Sequence, residues 1–183
     1  MAARLALLRR EGTTSDGRSF LIRPASGADA PALVRLRDEV ASEGGLIAAT
    51  PGERSVLEEE LSLSTLVGEG GLPLTLVVDG EVAGQLLVSR RPERYHSHIG
   101  EVAIIVSNRA RGLGLGRRLM ETAVDWARAV GITKLSLAVF TTNERAIGLY
   151  RSLGFEEEGT RRAHVLLADG PRDILVMALH LWE

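Results

Sequence analysis

Apolar positions along this chain fall into two rhythms. Short runs rich in Leu, Val and Ile cover residues 20–22, 72–78, 82–89, 96–106 and 134–140, and each reads as a strand. Residues 72–78 and 82–89 flank Asp79-Gly80, a dipeptide suited to a tight hairpin turn. A last pair, 155–167 and 173–181, surrounds Ala168-Asp-Gly-Pro171. Between these runs the spacing turns helical. Asp29 is placed to cap a helix starting near Ala30-Pro31, with Leu33, Leu36 and Val40 inward and Gly44-Gly45 as its stop. After a loop over 46–51, a second helix is expected from 53 to about 66, with Val56, Leu57 and Leu61 facing in. The Glu58-Glu59-Glu60 run on it reads as a solvated face. A third helix covers 114–130, with Leu119, Ala123, Trp126 and Val130 buried and Gly131 as its end. A short fourth spans 144–152, capped by Thr141-Thr142-Asn143 and closed by Gly154.

The pattern is a mixed α/β one. Residues 1–12 read as a short helix or frayed extension and 11–18 as turn-like, so the expected division is an extension over 1–19 and one domain over 20–183. That length suits a single core. The net charge of −2 and aromatic content of 4% exclude a broad nucleic-acid surface. There is no cysteine, which removes disulfides, thiolate metal sites and a cysteine nucleophile together. No apolar run approaches the ~20 residues of a membrane span. The first ten residues are too charged and their apolar stretch too short for a secretory signal. The expectation is a cytoplasmic protein without a metal, a membrane or a nucleic-acid partner.

The chemistry concentrates in residues 102–120. An apolar run enters Ser107-Asn-Arg-Ala-Arg111-Gly-Leu-Gly-Leu-Gly116-Arg-Arg118, and an amphipathic helix follows at once. Glycines let backbone approach a phosphate, and the free N–H groups of a helix start point at it. A P-loop needs Gly-Lys-Ser/Thr, whereas Gly116 precedes Arg117-Arg118. A dinucleotide fingerprint needs G-x-G-x-x-G and an acidic residue ending the next strand; the glycines are 112, 114 and 116, and that strand ends in Thr141-Thr142-Asn143. A plain strand–helix connection with surface arginines is the bland alternative. Arg111-Gly-Leu-Gly114-Leu-Gly116 resembles instead the R/Q-x-x-G-x-G/A loop of the GNAT superfamily of N-acetyltransferases, which wraps the pyrophosphate of coenzyme A.

About 30 residues on, Asn143-Glu-Arg-Ala146-Ile-Gly-Leu-Tyr150-Arg-Ser-Leu-Gly-Phe155 resembles the GNAT signature N-x-x-A-x-x-x-Y-x-x-x-G-F. Asn143, Ala146 and Tyr150 share one helical face. Phe155-Glu-Glu-Glu-Gly-Thr-Arg-Arg-Ala163 is similar to the strand that follows in amino-acid and peptide N-acetyltransferase branches. The resemblance covers roughly 20–180. It implies a twisted, mostly antiparallel sheet of six to seven strands, its fourth and fifth splayed apart, with about four helices around it. It implies acetyl-CoA as co-substrate. The pantetheine arm would lie on Ile104, Ile105 and Val106. The pyrophosphate would lie on Arg111, Gly112, Leu113, Gly114, Leu115, Gly116 and Arg117. Asn143 and Ala146 would flank the arm, and Tyr150 would sit beside the thioester sulfur. Homodimers are common among look-alikes, though no stretch here shows one.

The implied reaction is direct attack of a primary amine on the thioester. It needs a neutral amine, donors for the developing oxyanion and a proton for the thiolate. Tyr150 is the proton donor in this reading; its other role would be a packing aromatic with a satisfied hydroxyl. Glu101 is the base the resemblance implies, with a cross-strand ion pair as its alternative. His98 is the other candidate base, with a surface or packing histidine as its alternative; it is an odd number of residues away, so a regular strand puts it on the opposite face, and a bulge would be needed to bring it round. An α-amine with pKa near 8 is roughly 10% neutral at pH 7, a lysine amine below ~0.1%. A weakly defined base therefore favours amino acids, peptide N-termini or other low-pKa amines. A non-catalytic acyl-CoA-binding module is the alternative on the same fold, and a nucleotide-binding oxidoreductase the more distant one.

Overall fold

The computed structural model describes residues 8–91 and 93–182. Eight strands form one sheet: β1 (Arg10–Thr13), β2 (Ser19–Pro24), β3 (Leu72–Val78), β4 (Glu81–Arg90), β5 (Ile99–Val106), β6 (Lys134–Phe140), β7 (Glu156–Leu167) and β8 (Gly170–His180). Four helices accompany them: α1 (Ala30–Ser42), α2 (Val56–Gly68), α3 (Leu115–Ala129) and α4 (Glu144–Ser152). The spatial order is β1-β2-β3-β4-β5-β6-β8-β7. Every neighbouring pair is antiparallel except β5–β6. The mixed α/β, mostly antiparallel architecture agrees with the expectation. Among the described residues, no helix is long and apolar enough to cross a membrane.

The eighth strand comes from the N-terminal stretch. Residues 10–12, read as part of a helix or frayed extension, and Thr13, read as turn-like, pair with β2 from Arg10↔Ile22 to Thr13↔Ser19; residues 1–7 of that expectation lie outside the described residues. All four residues of β1 are exposed, so no apolar period announced the strand. Gly12 permits it, because a Cβ there would stand 2.9 Å from the Phe20 ring. The β3–β4 hairpin turns as its dipeptide requires, with φ of 48° at Asp79 and 84° at Gly80. Asp79 Oδ1 also accepts from the Ser19 N–H at 2.9 Å, tying the turn to β2.

The sheet is covered on both faces. On one, α3 buries Leu115, Leu119, Met120, Ala123 and Ala127 against Leu72, Leu74, Leu76, Leu86, Leu135 and Met177, and α4 adds Ile147 and Tyr150. On the other, Leu33, Leu36 and Val40 of α1 and Leu63 of α2 pack over Val82, Leu87 and Ile105. Two local expectations are corrected here. Asp29 precedes α1 but caps nothing in it. Its carboxylate turns back to Arg23 in a two-point pair (2.7 Å each) and accepts from the Ser26 N–H at 2.8 Å. Along α2 the buried positions are Glu59, Leu63 and Leu66, while Leu57 and Leu61 are 63% and 58% exposed. The reason is a polar anchor. Glu59 accepts from Gln85 Nε2 of β4 at 2.7 Å and pairs with Arg54 at 2.8 Å, so the helix turns a carboxylate inward.

Candidate active site

The sole parallel contact among the described strands is a short one. β5 and β6 pair only from Ile99↔Lys134 to Val102↔Leu137. Beyond that point each strand keeps its other neighbour: β5 stays with β4 to Val106 and β6 with β8 to Phe140. The two strands therefore part, and a cavity of about 1010 Å3 opens at the gap. Register shows what the gap exposes. The Ser107 N–H donates to Ala83 O at 2.9 Å, one step beyond Gly84↔Val106. Backbone groups alternate in direction along a strand. Ala103 and Ile105 thus spend theirs on β4, while Ile104 and Val106 aim theirs across the gap. On β6, the Thr141 N–H donates to Asp173 O at 3.1 Å, and the same alternation turns Ala138 and Phe140 toward β5. Of the three expected arm contacts, Ile104 offers both backbone groups to the cleft and Val106 its N–H, while the Ile105 backbone is spent on β4.

The glycine loop closes one end. Asn108–Ala110 form a single 3-10 turn, then Gly112 (φ 82°) and Gly114 (φ 74°) adopt left-handed conformations that lead into α3. Gly114 is the N-cap of α3 and supplies no side-chain cap. Among the described residues, none of the N–H groups from Gly112 to Arg117 finds a protein acceptor; the ladder starts with Arg118 N–H donating to Gly114 O at 3.2 Å. Six consecutive donors at a helix start form a ready anion cradle. Gly112, Gly114, Leu115, Gly116 and Arg117 line the cavity, whereas Leu113 packs into the main core. Arg111 lines it too, but its guanidinium is engaged. Nε donates to Val106 O at 2.8 Å, and the terminal nitrogens bind Glu43 at the end of α1. It fastens the loop to β5 and α1.

From the same face of the sheet as α3, α4 brings Asn143, Ala146 and Tyr150 to the cavity. Asn143 Oδ1 accepts from the Ala146 N–H at 3.2 Å, capping the helix and leaving its amide NH2 available. Tyr150 is 6% exposed, with its ring 5.9 Å from that of Phe155. No described residue hydrogen-bonds its hydroxyl, and burial pushes its pKa up to about 12. The phenol is therefore protonated across the physiological range.

Glu101 and His98 separate, and His98 lies in the turn before β5, outside the strand expected over 96–106. Glu101 lines the cavity and His98 does not. Arg91 binds Glu101 Oε1 through Nη2 at 2.6 Å and Nε at 2.9 Å, which leaves Oε2 without a partner among the described residues. Both the ion pair and the cavity position foreseen for Glu101 are present together.

Three further cations were not singled out from the sequence. Arg37, Arg145 and Arg161 line the cavity, and among the described residues none has an ion pair or side-chain hydrogen bond. Arg145 lies against the glycine loop, where a Cβ on Gly112 would be 3.3 Å from its Nη2. Its place inside Asn143-x-x-Ala146 was the available signal. Arg37 gave none, because only the packing of α1 on the sheet brings it to the gap. Among the described residues no group of three or more His, Asp or Glu side chains could hold a metal.

Residues 43–155 match the acetyltransferase (GNAT) family. The L-amino acid N-acetyltransferase AaaT of Escherichia coli (strain K12) is 34% identical over 99 residues, 51% of this chain and 58% of the relative. The chain thus spans little more than half of that relative's length. The L-methionine sulfoximine/L-methionine sulfone acetyltransferase of Pseudomonas paraeruginosa is 30% identical over 145 residues, 77% of this chain and 83% of the relative. The crystal structure of a phosphinothricin acetyltransferase from Sinorhizobium meliloti, in complex with AcCoA, superposes with a TM-score of 0.81 at 27% identity, covering 87% of each chain.

Proposed function

The chain belongs to the acetyltransferase (GNAT) family, and from that premise we propose that it moves the acetyl group of acetyl-CoA directly onto the primary amine of an amino acid or peptide. The observation that carries this reading is the gap between β5 and β6, lined by Ile104 backbone and the Val106 N–H that no neighbouring strand uses, with six free N–H groups at one end and Tyr150 in its wall. The named relatives act on L-amino acids and on methionine derivatives, and the AcCoA-bound structure shares the fold.

Each requirement of the chemistry has a group to meet it. The bound thioester supplies an activated acetyl. The N–H groups of Gly112–Arg117 and the Arg145 guanidinium would hold the phosphates, which are far more anionic than the rest of the co-substrate. Ile104 and Val106 would pair with the amides of the pantetheine arm, and Asn143 Nδ2 would add a donor. An N–H from the same strand is the donor available to charge developing on the acetyl oxygen. Tyr150, protonated and without a protein partner, would give its proton to the departing sulfur. Oε2 of Glu101 would take a proton from the bound ammonium, directly or through water, freeing the neutral amine to attack.

Thiol release from acetyl-CoA, measured against amino acids, short peptides and Nα-blocked lysine, tests the proposal. Turnover on α-amines with a fall of about 10²-fold or more in kcat for Tyr150→Phe is the expected result. Thermal stabilisation by acetyl-CoA with no turnover on any amine would replace it with an acyl-CoA-binding module. Stabilisation by NAD and not acetyl-CoA would remove both.

A further inference from the structure

The cavity holds more positive charge than its cofactor end explains. Arg111 is neutralised by Glu43, Arg91 by Glu101, and Arg117 binds Ser152 at 2.6 Å with Glu121 at 3.6 Å. Arg145 sits at the glycine loop. Arg37 and Arg161 remain unpaired. Arg37 is the more telling of the two. It is half-buried, and its Nε is shielded from solvent without a hydrogen-bond acceptor among the described residues. Leaving a guanidinium donor buried and unmet is costly, and the cost persists only where something external meets it.

Topology places the two arginines on one face of the sheet and on either side of the gap. α1, which carries Arg37, packs over Leu87 and Ile105 of β4 and β5. Arg161 stands opposite Ile174, which stands opposite Phe140 of β6. Opposed residues share a face, and Glu101 stands opposite Ser136 on that same face. Arg37 thus approaches from the β5 side and Arg161 from the β6 side, on the face that carries Glu101 and away from Tyr150 and α4. Glu101 is the sole carboxylate lining the cavity, and Arg91 already holds it. An acceptor that enters here meets two free guanidinium groups and no unpaired repelling carboxylate.

We propose that Arg37, assisted by Arg161, binds the carboxylate of a free α-amino acid, so that the acceptor is an amino acid and not a peptide N-terminus. This rests on the acetyltransfer reading above and narrows its acceptor. The distinction follows from connectivity. In a free amino acid a carboxylate lies one carbon from the attacking amine; in a peptide the same position is a neutral amide. A guanidinium discriminates strongly between those two, because it forms paired charge-assisted hydrogen bonds only with the first.

The test compares L-alanine, L-methionine and L-methionine sulfone with their α-carboxamides and with dipeptides that begin with the same residue. The amide is the less basic amine, so an effect of neutral-amine supply alone would favour it. The expected result is the reverse, with kcat/KM higher for the free acid by about tenfold or more. In Arg37→Ala that preference collapses toward one, and the change falls on the KM of the acceptor and not on that of acetyl-CoA. Arg37→Lys, which retains the charge without the fork, keeps part of it, and Arg161→Ala, on an exposed side chain, loses less. Equal use of acid and amide by the unaltered protein overturns the proposal. So does an Arg37→Ala effect on acetyl-CoA KM alone, which would assign the guanidinium to the co-substrate phosphates. Thermal stabilisation of the CoA-bound protein by each amino acid, absent with its carboxamide, reads the same site without turnover. If acetyl-CoA is bound and no amine is acetylated, the acetyltransfer reading fails while this binding measurement still decides the carboxylate site.

Discussion

Tyr150 combines two properties that normally conflict. It is buried among apolar neighbours, yet its hydroxyl has no partner among the described residues and lies in the cavity wall. Burial raises its pKa from about 10 to about 12 because the phenolate would be desolvated. The folded state therefore keeps a proton that the unfolded chain loses first. Its contribution to stability is complete below pH ~10 and disappears as pH climbs toward 12, amounting to roughly 3 kcal/mol. Tyr150→Phe removes the ionisable group, so equilibrium unfolding of the variant should lack that part of the alkaline decline. The same shift predicts that turnover rises with pH as the acceptor amine deprotonates, with no falling limb from Tyr150 below pH ~10. Arg37 shows the opposite trade. An unmet guanidinium burdens the empty protein, so Arg37→Met should raise Tm by roughly 2–4 °C while lowering kcat/KM for the acceptor. A thermal scan beside an activity assay separates the two effects; a lowered Tm would show that Arg37 supports the fold.

Elements differed in how openly they announced themselves. α4 was legible to the residue, because Asn143 is at once motif, cap and boundary. The β3–β4 turn was legible because two positive φ values in succession admit few dipeptides. β1 was not, since an exposed edge strand carries no alternation to detect. α2 misled for a different reason. Its apolar residues Val56, Leu57 and Leu61 suggested one inner face, but Glu59 has the better partners and sets the rotation. A buried carboxylate is invisible to a reading that counts apolar positions. It also makes α2 sensitive at one site. Glu59→Ala strands the Gln85 amide and the Arg54 charge beneath the helix, and should cost about 2–4 kcal/mol in urea unfolding with an unchanged m-value. Glu59→Gln, which retains a hydrogen-bonding acceptor, should cost less. Equal losses from both would place the effect in packing instead of polar pairing.

Across the whole molecule, the site exists because one pair of strands stops early. β5 and β6 share four residue pairs and then part, while each runs on beside its other neighbour. The glycine loop and α4 then converge on the gap from consecutive crossovers, which is why two motifs about 30 residues apart in sequence could be read together. The proposed cationic acceptor face could not, because it is assembled from α1 and β7, segments with no common signature. The unspent donors give the architecture a direct readout. Amides of Gly112–Arg117, Ile104 and Val106 lack protein acceptors by ladder or by register, so they should exchange with deuterium quickly in the free protein. Acetyl-CoA should slow that set selectively, while Ala103 and Ile105, bonded to β4, change little. At 100-fold excess over Kd it should add about 2.7 kcal/mol of stability, or roughly 5–10 °C in Tm for a chain of this size. Protection spread evenly over the sheet would mean that binding only suppresses global unfolding. Protection confined to residues 112–117 would leave the phosphates anchored and the arm outside the gap, and the Tyr150 proton would then have no sulfur within reach.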